Sequence, residues 1–149
     1  MTDPGRTLLV CAAALLEQGR TVDRLSRPLT AAALIAILFS QAIGTRLPWM
    51  LVGVVVLVAV AGLVEAYFAI RVGFDAALFR HLASASEPPD FAGTDAALTR
   101  LGVLPAATRD RPAEARVAGA RRLFRLQMLS LVAQVLSVLA GGCIARSWR

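Results

Sequence analysis

The sequence predicts an all-α integral membrane protein. Three transmembrane helices, the first two closed into a tight hairpin, are joined to a small cytoplasmic helical segment between spans 2 and 3. Three observations carry this. Of the 149 residues 57% are hydrophobic and only 17% charged, whereas a soluble domain is about a quarter charged. Uncharged runs cover residues 28–45, 47–64 (resuming after Glu65 to residue 70) and 126–145. The basic residues are all arginine, sixteen of them, and thirteen fall on one side of the bilayer that those runs define.

Residues 1–27 form an interfacial N-terminal segment on the cytoplasmic side. Within it, 5–18 read as a short helix, either lying on the inner membrane surface or packed on the hairpin. Its apolar run is too short to span. Val10 before Cys11, with no small-residue cleavage site before the arginines at 20–27, argues against a leader peptide or a lipoprotein. Gly19 ends this helix and Pro28 opens the first span.

Span 1 (28–45) and span 2 (47–70) are long enough to cross a hydrocarbon core of about 30 Å at about 1.5 Å per residue. Gly44 and Pro48 bound a turn so short that the two helices must be antiparallel neighbours. Trp49, Tyr67 and Trp148 fall at the ends of spans, where amphipathic rings gather.

In the 71–125 segment span 2 continues as a helix out of the membrane, with Phe74, Ala77, Leu78, His81, Leu82 and Ala85 at helical spacing. Residues 86–90 break it. Thr94 caps a short helix over 95–101, which Gly102 ends before Pro105. Thr108 or Asp110 caps the next, and the pattern then runs through Val117, Ala120 and Phe124 into span 3 (126–145). One continuous helix over 111–145 would be about 50 Å long. The segment is a helical lid, expected to lean on the membrane or on a partner, and 146–149 form a short outer tail. With the N-terminus in the cytoplasm and the C-terminus outside, the arginines satisfy the positive-inside rule. Alanine- and arginine-rich, lysine-free usage fits a GC-rich bacterial genome, hence the cytoplasmic (inner) membrane.

Glu65 is the one ionisable side chain inside a span, about 9 Å below the cytoplasmic edge. It is either a functional intramembrane site or a carboxylate that snorkels to an arginine of the lid; its shallow depth favours the second. Gln127, Ser130, Gln134, Ser137 and Gly141 share one stripe of span 3. Ala32, Ala36, Ser40 and Gly44 recur along span 1. Ala59, Gly62, Ala66, Ala69 and Gly73 line one side of span 2. Small residues permit close helix approach, and Ser and Gln hydrogen-bond across the contact. Packing is the common meaning of such stripes. The functional one is a polar pathway made of Glu65, Gln127, Ser130, Gln134 and Ser137.

No catalytic, cofactor or metal site is expected. His81 has no partners, Cys11 and Cys143 lie on opposite faces of the bilayer as small apolar fillers, and phosphate-loop and zinc-protease motifs are absent. Arg116, Arg121, Arg122 and Arg125 precede a span and carry one ring, Phe124, among them. They suit anionic lipid headgroups rather than nucleic acid. The expected function is therefore a non-catalytic accessory or assembly subunit that packs against a larger membrane partner or itself. The alternative is a small homo-oligomeric channel or transporter using Glu65 and the polar stripe of span 3.

Overall fold

The computed structural model describes residues 4–43, 48–85, 90–102 and 112–147. Among the described residues all regular structure is helical: α1 (Pro4–Glu17), α2 (Gly19–Ile43), α3 (Trp49–Ser84), α4 (Phe91–Arg100) and α5 (Ala113–Ser147). The turn with Gly44 and Arg46, the break at 86–89, the caps expected at Thr108 or Asp110, and Trp148 lie outside the described residues.

α3 is the axis of the molecule. At 36 residues it is about 54 Å long, and α5, at 35 residues, is about 52 Å. The two run antiparallel along their whole length. Val54 meets Gly141, Glu65 meets Gln127, and the second half of α3 meets the start of α5. α2 lies beside the first half of α3 and α1 beside the second, so each half of the molecule is a three-helix bundle around α3.

α1 buries Leu9, Ala12, Ala13 and Leu16, one face at helical spacing, against Val72, Ala76, Phe79 and Leu82 of α3 and Val117 and Ala120 of α5. Its buried face thus packs on the extensions of α3 and α5 beyond the apolar runs. The lid leans on the chain's own N-terminal helix. Arg6 donates to the Ala85 carbonyl at 2.6 Å, and Arg80 pairs with Glu17.

α2 begins at Gly19, where the Gln18 carbonyl accepts from Thr21 and Val22, not at Pro28 as expected. Pro28 sits inside the helix. A proline there removes the backbone donor that would serve the Arg24 carbonyl, four residues back. The Thr30 hydroxyl donates along the same turn to a different carbonyl, that of Ser26, at 3.0 Å.

α4 starts at Phe91, earlier than expected. The cap is Asp90, whose carboxylate accepts from Gly93 N–H at 2.8 Å, while Thr94 donates back to the Asp90 carbonyl. Thr94 follows the first turn and so cannot cap it. Gly102, at φ +71°, ends the helix in the left-handed region.

Among the described residues two helices, α3 and α5, are long and apolar enough to cross a membrane. Leu34, Ile35, Leu38 and Phe39 of α2, Val56, Leu57, Val60 and Leu63 of α3, and Leu129, Val132, Leu136 and Leu139 of α5 all point outward.

Candidate functional site

The polar residues of the apolar half turn inward and form two knots. Gln127 and Gln134 are seven residues apart on α5, two helical turns, so both face the seam between α2 and α3. Both are fully buried.

The deeper knot is complete. Gln134 Oε1 accepts from Ser26 Oγ at 2.9 Å, and its Nε2 donates to Thr30 Oγ1 at 2.9 Å and to the Val58 carbonyl at 3.3 Å. Three helices are joined by one side chain. Gly62 makes the room: a Cβ there would sit 2.6 Å from Gln134 Nε2 and collide with Thr30. Below it, Gly141 lies against Val54, where a Cβ would come within 2.9 Å.

The upper knot is incomplete. Gln127 Nε2 donates to the Gly19 carbonyl at 2.8 Å and to Glu65 Oε1 at 2.7 Å. Glu65 Oε2 and Gln127 Oε1 are buried with no hydrogen-bond partner among the described residues. Glu65, 1% exposed, does not snorkel to an arginine; it turns toward α5. The reason is local: Gln127 offers a donor across the seam, and Gly19 lets α2 close over the pair.

Other candidate residues sit elsewhere. Ser137 is buried but donates to its own helix at the Ala133 carbonyl, and half-buried Ser130 to the Leu126 carbonyl. On α2 the contact line is Ser26, Thr30, Ala33 and Ile37. It is not the neighbouring line of Ala32, which is exposed, and of Ala36 and Ser40, which are half-buried. Gly44 lies outside the described residues. Ala66 lines a cleft of about 450 Å³ between α2 and α3, with Gly19, Arg20, Asp23, Arg27, Ala69 and Gly73. Ser26, Thr30 and Gly19 were not anticipated, because a span beginning at Pro28 leaves Gly19 and Ser26 outside it. The steps of four, three and four from Ser26 to Ile37 were the available sign.

Arg116, expected at lipid headgroups, turns inward to α4. Its guanidinium grips the buried Asp95 carboxylate with two bonds of 2.7 and 2.5 Å and lies 5.2 Å over the Phe91 ring, fixing α4 to α5. Arg121, Arg122 and Arg125 are exposed, as are His81, Cys11 and Cys143. On α3 beyond the apolar stretch, burial pushes the Asp75 carboxyl up to about 6, with Arg71 opposing.

Compared with known proteins, the chain matches no protein-family profile, no curated protein sequence and no solved structure.

Proposed function

We infer that this chain is a non-catalytic, multi-pass membrane protein that serves as an accessory or assembly subunit, packing against a larger membrane partner or its own copies. The observation that carries the reading is reversed polarity: Glu65, Gln127, Gln134 and Ser26 are inside while large apolar side chains cover the outside. A helix in a water-soluble core is mostly covered, whereas only 11% of the most apolar stretch of α5 is buried. Lipid is the solvent that suits such a surface.

Three spans follow from this reading, with α2 from Pro28 onward as the first. The arginine distribution sets the N-terminus in the cytoplasm and the C-terminus outside. Arg71 stacks at 5.7 Å on exposed Tyr67, a pairing suited to the headgroup level. Exposed Arg121, Arg122 and Arg125 reach anionic lipids of the bacterial inner membrane, at about 1 kcal/mol each. The polar stripe of α5 is used up within the chain, so the partner face is the outward Ala32–Ala36 line of α2, where a further helix can approach closely.

A mild-detergent purification of the tagged full-length chain tests this. The expected result is a complex with a larger membrane protein or with its own copies, lost in the Ala32→Leu, Ala36→Leu variant. A monomer throughout would sink the reading. For topology, a membrane-impermeant thiol reagent should reach Cys143 in intact cells and Cys11 only after lysis.

The second reading, a small homo-oligomeric channel or transporter, draws on one observation, the buried Glu65 with an unpartnered oxygen. Gln134 and Ser137 are turned into the chain's own bundle, so a shared pathway would have to follow the cleft at Gly19 and Ala66. Loss of flux in reconstituted Glu65→Gln protein, with assembly intact, is the result it requires.

A further inference from the structure

We propose that Glu65 and Gln127 form a proton-binding site, in which the carboxyl of Glu65 holds a proton and closes a two-bond acid–amide pair across the seam of α3 and α5. The two knots on α5 make the case by contrast. Gln134 uses its carbonyl oxygen and both amide hydrogens. Gln127 uses only its hydrogens. What the upper knot lacks is a donor, because both orphaned atoms, Glu65 Oε2 and Gln127 Oε1, are acceptors. They belong to groups already joined at 2.7 Å.

The amide cannot simply be reversed. Its nitrogen faces the Gly19 carbonyl, which only accepts, so an oxygen placed there would lose that bond. The α2 backbone closes on this amide: a single Cβ at Gly19 would lie 2.8 Å from Gln127 Oε1 and 3.0 Å from Val72. One proton meets both needs. It converts a carboxylate and H⁺ into a neutral acid whose O–H donates to Gln127 Oε1, while the Gln127 N–H continues to donate to Glu65 Oε1. The carboxyl plane turns about a soft torsion to close the ring.

Among the described residues no cation forms an ion pair with Glu65. From α2, Arg20 is exposed on the neighbouring cleft, and Arg27 lies within electrostatic reach of Glu65 but is paired with Asp23 at 2.6 Å. On α3, Arg71 is stacked on Tyr67. On α5, Arg125 is exposed, and on α1, Glu17 is paired with Arg80. The cleft lined by Asp23 and Arg27 reaches Gly19 and Ala66, next to the pair, and water there is the source of the proton. The inference needs no partner and stands apart from the accessory-subunit reading.

Infrared spectroscopy of the purified full-length chain at pH 8 tests it. That pH is above the range where Asp75, at about 6, titrates. The expected spectrum has a protonated-carboxyl C=O band that disappears in Glu65→Gln and persists in Asp75→Asn. The Gln127→Leu variant, which removes the amide and leaves the acid, should move the band, and it serves should Glu65→Gln not fold. Carboxylate bands alone in the parent protein, or a band indifferent to both Glu65 and Gln127 substitutions, would overturn the proposal. Glu65→Gln should also unfold within a few degrees of the parent, since its amide donates where the acid did. Unfolding as early as Glu65→Ala would count equally against the proposal.

Discussion

Gly62 on α3 and Gln134 on α5 are complementary: the missing side chain of one is the space occupied by the amide of the other. Gln134 Nε2 can reach both Thr30 and the Val58 carbonyl only because no Cβ stands between them.

The Gly62→Ala variant is therefore expected to lose about 1–3 kcal/mol, the usual cost of overpacking. Gly53→Ala is its control. A Cβ at Gly53 meets nothing within 4 Å, and alanine favours helix by about 0.5–1 kcal/mol. Thermal unfolding in detergent should order them Gly53→Ala, parent, Gly62→Ala from most to least stable. A Gly62→Ala protein as stable as the parent would refute the close approach.

Gln134→Leu and Ser130→Leu separate an inter-helix bond from an intra-helix one. Removing Gln134 leaves the Ser26 hydroxyl and the Val58 carbonyl without their partner, at about 1–2 kcal/mol. Ser130 bonds only its own helix, so its replacement should stay within about 0.5 kcal/mol of the parent. Denaturant titration reads both, and equal losses would contradict the arrangement.

Asp95 and Arg116 should act as a latch for α4. Breaking a buried pair from one side costs about 3–5 kcal/mol, here confined to the short helix it holds. Asp95→Ala should raise hydrogen exchange across α4 while α3 and α5 stay protected. Arg116→Lys keeps the charge but not the paired bonds, and is expected to loosen α4 as well.

Asp75 predicts a pH dependence with a definite sign. Its carboxyl holds a proton to about 6 in the fold, against 3.8 ordinarily. The folded state thus binds more protons, and this contribution to stability is full below 3.8 and lost as pH rises through about 6. Asp75→Asn should flatten that fall and exceed the parent at pH 7 by on the order of 1 kcal/mol, since water reaching the half-buried group weakens the effect. Melting curves at pH 4 and pH 7 check it.

Much of the architecture is readable from local pattern. The uncharged runs mark the apolar halves of α3 and α5, and unbroken helical spacing carries both beyond them. Gly102 stops α4 because its backbone conformation is a local property. The seven-residue separation of Gln127 and Gln134 puts them on one face whatever that face meets.

Other features depend on which surfaces meet. Periodicity assigns residues to a face but not the rotation or axial register at which two helices dock. Hence the seam of α2 runs through Ser26, Thr30, Ala33 and Ile37 rather than the adjacent alanine line. Pro28 marks a helix start in isolation, yet α2 passes through it. Glu65 turns toward Gln127, and Arg116 toward Asp95, because packing offers each a buried partner distant in sequence. Composition and spacing determine which side chains can share a face; the packing of α1, α2 and α5 around α3 decides which of them touch, because desolvated polar groups must find partners where the helices close.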